Sequence, residues 1–241
     1  MIELELDITT ADGAMNTFIT HPEEGGPHPV IMFLMDAPGK REELHDMARR
    51  LASAGYFVML PNLYYRRVRE FNVGADEDAR RIMFEHMNSL SNAMVCNDIG
   101  SLFEFADGDA EASPGPAGTV GYCMSGPFAF AAAAAHEDRI KAAASVHGVR
   151  LYTDADDSPH LAASTIKAEL YFGCAETDQW APVEMIEKLQ EHLNKAGCNA
   201  RVEWYPGTQH GFVFPKRVGI YDKQGAERHW ERLFALFERN V

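Results

Sequence analysis

Residues 30–35 read Val-Ile-Met-Phe-Leu-Met, an apolar run with no polar alternation. A strand with one wet face alternates. An unbroken run of this kind belongs to a strand covered on both faces, as in a parallel sheet flanked by helices. Short runs of strand character recur at 56–60 (stopped by Pro61), 119–122, 142–147, 168–172 and 200–205. Between them lie stretches of helical length: 42–54 (ended by Gly55), 76–106 with a break near 88–92, 126–136, 182–196 and 224–239. The alanine-rich run 129–135 predicts a tightly packed helix. Strand and helix in alternation predict an α/β fold, a mostly parallel central sheet with helices on both faces. Residues 2–7 and 15–20 do alternate, around the turn Ala11-Asp12-Gly13, and predict a hairpin. Residues 107–118 carry Pro114-Gly115-Pro116 and read as a loop inside the fold, because the strand at 119–122 resumes the pattern. The 241 residues are therefore expected to form one domain, 1–241.

The formal net charge is −14. Such a chain does not neutralise phosphates, so nucleic acid and anionic membrane surfaces are disfavoured as partners. No apolar run approaches the roughly 20 residues of a membrane span. Residues 1–7 lack a basic segment and an apolar core, so a cytoplasmic location is expected. Cys96, Cys123, Cys174 and Cys198 are scattered, with no CxxC and no zinc-finger spacing. In a reducing compartment each reads as a small buried hydrophobe unless its setting says otherwise.

Sites in parallel sheets collect at the carboxyl ends of the strands. At one such end, Gly121-Tyr122-Cys123-Met124-Ser125-Gly126 leads a short strand through small residues into a helix. This is the setting of a nucleophile elbow, with cysteine where serine is commoner. The nucleophile of such a turn sits at positive φ, so the residues two places away must be small, as Gly121 and Ser125 are. A helix N-terminus behind Cys123 favours thiolate, and the amide of Met124 can hold an oxyanion. The rivals are Ser125 as nucleophile, with Pro127 awkward in its turn, and Cys123 as a plain buried thiol. Asp178 follows the strand at 168–172, where an acid can orient a histidine; Glu176 competes, and either could cap the helix opening at Pro182. His210 lies beyond the last strand. Cys123, Asp178, His210 is the order nucleophile, acid, base, the chain order of α/β-hydrolases. His147 reads as a pocket wall or a packed polar residue. In Met35-Asp36-Ala37-Pro38-Gly39-Lys40, Ala37 offers the second oxyanion amide, since Pro38 has no N–H. Asp36 is either a carboxylate close to the nucleophile or a turn former. Trp180, Phe212, Tyr64 and Tyr65 suggest aromatic walls.

In order and spacing these residues resemble the dienelactone hydrolases, α/β-hydrolases with a Cys-Asp-His triad. The resemblance spans nearly the whole chain. It takes in the Asp36 loop, residues 51–58 leading into Pro61-Asn62-Leu63-Tyr64, the Gly121-Tyr122-Cys123 elbow, Asp178 ahead of Pro182, and His210-Gly211-Phe212. It implies hydrolysis of an ester or a dienelactone-like lactone through an acyl-cysteine, with Cys123, Asp178 and His210 as the triad and no metal or organic cofactor. Members of the family act in the breakdown of chlorinated aromatics. Asp36 stands where the family has a glutamate that draws the thiol proton away, one methylene shorter here. Ser125 stands in place of a usual glycine and would add a hydroxyl to the pocket. Arg81 would bind the substrate carboxylate, although Glu85 and His86 occupy the place of an expected tyrosine. Arg66 and Arg67 are alternative anion-binding groups. The implied partner is a small ester or lactone, and the chain is expected to be a monomer or a small homo-oligomer. A non-catalytic small-ligand-binding protein on the same fold and a thioesterase are the other readings.

Overall fold

The computed structural model describes residues 1–71, 73–74 and 76–241. The chain opens with the antiparallel hairpin β1 (Ile2–Thr10) and β2 (Gly13–His21). Then come β3 (His28–Leu34), α1 (Glu42–Ala52), β4 (Phe57–Pro61), α2 (Glu77–Asn88) and α3 (Asn92–Asp107). The second half runs β5 (Ala112–Tyr122), α4 (Gly126–Ala135), β6 (Ile140–Val146), β7 (Glu169–Thr177), α5 (Val183–Ala196), β8 (Ala200–Gln209) and α6 (Lys223–Glu238). Among the described residues one sheet holds eight strands in the order β1-β2-β4-β3-β5-β6-β7-β8. β2 joins β4 antiparallel; every pairing from β4 across to β8 is parallel.

Val30 to Leu34 are all fully buried. Successive side chains of a strand point to opposite faces, so both faces of β3 are covered, as its sequence demands. On β5, Gly118 leaves room for Phe237 of α6: a Cβ there would lie 2.7 Å from that ring. The alanines of α4 let it pack closely on β5, β6 and α3. The break in the long helical stretch falls where expected. α2 ends at Asn88, and Ser91 caps α3 by accepting from the Met94 amide.

Two expectations need correction. β5 begins at Ala112, inside the stretch that reads as a loop. Pro114 and Pro116 cannot donate, and the pairing with β3 slips between His28↔Ala112 and Val30↔Ala117. β7 runs on to Thr177, so Asp178 leaves the strand directly rather than sitting well into a loop. Among the described residues no helix is long and apolar enough to cross a membrane.

Candidate active site

The carboxyl ends of β3, β5, β6, β7 and β8 bring Asp36, Cys123, His147, Asp178 and His210 to one edge of the sheet. Cys123 has φ +54°, the strained turn that the small neighbours predict. A Cβ on Gly121 would lie 2.0 Å from the carbonyl oxygen of Ser125, and one on Gly126 would lie 2.4 Å from Ser145 Oγ. Either substitution would force the elbow open. Ser125 is fully buried and its hydroxyl donates to the Met35 carbonyl at 2.5 Å. It is turned away from the pocket, so neither a nucleophilic nor a substrate-facing role fits it. What it does is tie the end of β3 to the elbow.

Asp178 Oδ1 accepts from the amides of Trp180 (2.9 Å) and Ala181 (3.1 Å), and Oδ2 meets His210 Nδ1 at 2.7 Å. The two amides fix the carboxylate, and the carboxylate fixes the imidazole with its proton on Nδ1. Cys123 lines the same cleft as the ring and is the next contributor to its proton affinity. Burial pulls the proton affinity of His210 down; the Asp178 bond and then Cys123 outweigh it, raising its pKa to about 9. The rival acid, Glu176, instead accepts from the Gly207 amide at 2.8 Å and ties the ends of β7 and β8 together.

His147 stands 4.8 Å from the His210 ring, centroid to centroid. It is buried at φ +39°, its amide donates to the Gly173 carbonyl, and neither ring nitrogen has a partner among the described residues. It packs against Tyr122, Phe212 and Phe214 behind His210, as a packed polar residue. Burial first, and then the charge of His210, hold its pKa well below the ordinary 6.5.

A cleft of about 560 Å³ opens over Cys123 and His210. Ala37 and Pro38 form part of its wall, together with Met83, Phe84 and the half-exposed Trp180, which packs on Phe84 at 5.7 Å. Among the described residues the Ala37 amide donates to no protein acceptor. Three arginines, Arg80, Arg150 and Arg217, line the same cleft.

Several expected contacts are placed elsewhere. Arg81 faces solvent and pairs with Glu85 and Asp78, while its neighbour Arg80 lines the cleft. One residue along a helix turns a side chain by about 100°, which is the whole difference. Arg66 is held by Asp12 and Asp98, and Arg67 by His86. Tyr64 is buried: its hydroxyl donates to the Ala37 carbonyl at 2.8 Å and lies 3.2 Å from Met124 Sδ. It therefore braces the Ala37 loop against the elbow and does not line the cleft. Tyr65 bonds Asp98 and Thr10 outside the cleft. Phe212 is fully buried against Tyr205 and His147. Asp36, also fully buried, is gripped by Arg41 through both oxygens and by Arg217 Nη2 at 2.8 Å. Arg41 also holds Glu43, whose other oxygen accepts from the Lys216 amide. The segment after His210 is thereby fastened to the Asp36 loop. The sequence reading missed Arg217 and Arg41. The only local signal for Arg217 was its place shortly after His210; Gly211 fits against it, since a Cβ there would lie 2.1 Å from the guanidinium.

The family model described as "Dienelactone hydrolase family" matches residues 15–241. A relative from Methylorubrum extorquens, described as "Putative carboxymethylenebutenolidase", is 30% identical over 243 residues, 99% of this chain and 81% of its own. A solved structure from Klebsiella pneumoniae, titled "Putative Dienelactone Hydrolase", superposes with a TM-score of 0.87 at 23% identity over 98% of each chain. A dienelactone hydrolase-like promiscuous phosphotriesterase from metagenomic libraries gives 0.82 at 17% identity, over 99% of this chain and 98% of its own. Those two structures speak for the fold, and the family match speaks for the lineage. The chain belongs to the dienelactone hydrolase family, hydrolases of ester and lactone bonds.

Proposed function

We propose that this chain hydrolyses an anionic small-molecule ester or lactone through an acyl-cysteine, with Cys123 as nucleophile, His210 as proton carrier and Asp178 as the residue that orients it. The observation that supports this most is the Asp178 carboxylate holding His210 at 2.7 Å in the cleft that His210 shares with a cysteine on a +54° elbow. A chain that only bound a ligand would have no use for that arrangement.

The Cys123 sulfur, its proton already taken up by His210, adds to the ester carbonyl. The oxyanion is held by the amides of Met124 and Ala37, where one lost donor typically costs on the order of 10²–10³ in rate. His210 then protonates the departing alkoxide, which stays tethered when the substrate is a lactone. A water deprotonated by His210 attacks the thioester, releasing the acid and restoring the thiol. Asp178 keeps Nδ1 protonated and balances the imidazolium throughout.

The arginines argue for an anionic substrate. Arg217 divides its charge between Asp36 and the cleft. A substrate carboxylate that draws Arg217 toward itself weakens its hold on Asp36, and so couples binding to the charge beside Cys123. This gives the thiol-activating role of Asp36 a physical route despite the shorter side chain.

The test is turnover of p-nitrophenyl acetate before and after iodoacetamide, with mass spectrometry locating the alkylated cysteine. Activity that falls in step with modification of Cys123, and is absent from Cys123→Ala, supports the reading. Activity that survives complete alkylation of Cys123 would sink it.

A further inference from the structure

Three side chains gather at the opposite edge of the sheet from the cleft. His21 ends β2, His28 begins β3, and Glu111 immediately precedes β5. One nitrogen from each imidazole and one Glu111 oxygen lie within 4.8 Å of one another. Both histidines are only 4% exposed.

The hydrogen bonds say which nitrogens are free. His21 Nδ1 lies 2.8 Å from the Pro22 carbonyl, and His28 Nδ1 lies 3.2 Å from the Gly55 carbonyl. A carbonyl oxygen can only accept, so each Nδ1 carries the proton and each Nε2 keeps a lone pair. Donating the far ring N–H to a backbone carbonyl is how metal-binding histidines are usually oriented. His28 Nε2 is buried with no partner among the described residues. Leaving a buried nitrogen unpaired is costly, so a ligand there answers a real deficit. The Glu111 carboxylate takes no side-chain or backbone hydrogen bond among the described residues. A Cβ on Gly26 would lie 2.6 Å from Glu111 Oε2 and 3.4 Å from His28 Nε2. The absent side chain keeps that space open.

We propose that His21, His28 and Glu111 bind one divalent transition-metal ion, with Zn²⁺ the best match and a water as fourth ligand. Two imidazoles and a carboxylate suit zinc and its neighbours; Mg²⁺ and Ca²⁺ want oxygen donors. Zinc–ligand bonds of about 2.0–2.2 Å need donors about 3.4 Å apart, so the cluster must draw inward. Glu111, the least buried of the three, supplies that movement. The backbone is already fixed: the His28 amide donates to the Glu111 carbonyl at 2.7 Å. The ion is a clip joining the ends of β2, β3 and β5. β3 alone, from His28 to Leu34, spans roughly 20 Å, so the ion takes no part in hydrolysis. The ligands come from three separated strand ends, which is why no short motif announces them.

The test uses full-length Cys123→Ser protein, so that the thiol and imidazole of the cleft do not capture the ion. After chelator treatment and dialysis, zinc is titrated by calorimetry and by thermal unfolding. One saturable equivalent per chain is expected, with Tm rising about 5–10 °C when free zinc is a hundredfold above Kd. Glu111→Gln, at a partly exposed position, keeps the shape and is expected to fold; it should weaken binding at least tenfold and remove most of the Tm shift. His28→Gln should do the same. Absence of a saturable equivalent, or Glu111→Gln binding within tenfold of its parent, overturns the proposal.

Discussion

His210 and His147 lie side by side, both largely buried, yet their proton affinities are pushed in opposite directions. Burial lowers both. Only His210 has a carboxylate partner, and that bond, together with Cys123, reverses the sign. His147 is left neutral among Tyr122, Phe212 and Phe214. In this molecule the partner, more than burial, decides which imidazole can carry a proton at neutral pH. Asp178 is itself held by two amides, so the distinction traces back to the loop that leaves β7.

The sharpest way to break the contrast is Asp178→Asn. The amide cannot balance an imidazolium and favours the wrong tautomer, so kcat/KM for p-nitrophenyl acetate should fall by on the order of 10³–10⁴. The same variant tests the stability side. A raised His210 favours the folded state fully below the unfolded value of 6.5, and that contribution is lost as pH rises toward about 9. Chemical denaturation of the wild type should therefore show stability falling across this window, relative to Asp178→Asn. Parallel stability curves for the two proteins would mean that His210 is not held protonated by Asp178.

Arg217→Met moves to the second carboxylate of the site. It leaves Asp36 paired with Arg41 and removes the charge that the cleft shares. Losing one charge-assisted hydrogen bond of roughly 1.5–3 kcal/mol should raise KM about tenfold or more for esters bearing a carboxylate. Neutral p-nitrophenyl acetate should be much less affected. An equal loss on both substrates would show that Arg217 holds the loop and does not select the substrate. Tyr64→Phe is milder. It removes the hydrogen bond to the Ala37 carbonyl, worth about 1 kcal/mol, so kcat should fall about fivefold with little change in KM.

Those residues also mark where the sequence could and could not be read. The grouping of Cys123, Asp178 and His210 was legible because its signals are local: the turn at Cys123 needs Gly121 and a small residue at 125, and the other two follow strand ends in chain order. Strand-helix alternation gave the sheet, while the prolines at 114 and 116 hid the start of β5. Direction was the harder problem. Arg81 and Arg80 differ by one helical step, and no periodicity in a short amphipathic helix says which faces a cleft built by other strands. Ser125, Tyr64 and Phe212 sit at the right places in the chain, yet their side chains turn inward to bonds or packing that only the assembled fold supplies. Asp36 does follow β3 at the same edge of the sheet as Cys123. Its grip by Arg41 and Arg217 depends on a partner brought back from the far end of the chain.

The smallest expected effect is the one that completes the comparison. His147→Leu removes an imidazole whose ring nitrogens bond nothing among the described residues and keeps an apolar side chain of similar bulk. If His147 is only packing, kcat/KM should change by less than about threefold, since no hydrogen bond to the reacting groups is lost. Its stability signature should still be clear. A histidine held below 6.5 in the fold is protonated more readily when unfolded, so its penalty grows as pH falls below 6.5. The leucine variant should therefore be more stable than wild type at pH 5 and should gain less at pH 8. It flattens the acid side of the stability curve just as Asp178→Asn flattens the alkaline side. A large loss of turnover with an unchanged acid limb would instead make His147 a positioning residue for His210, because only then would the two rings act as a pair.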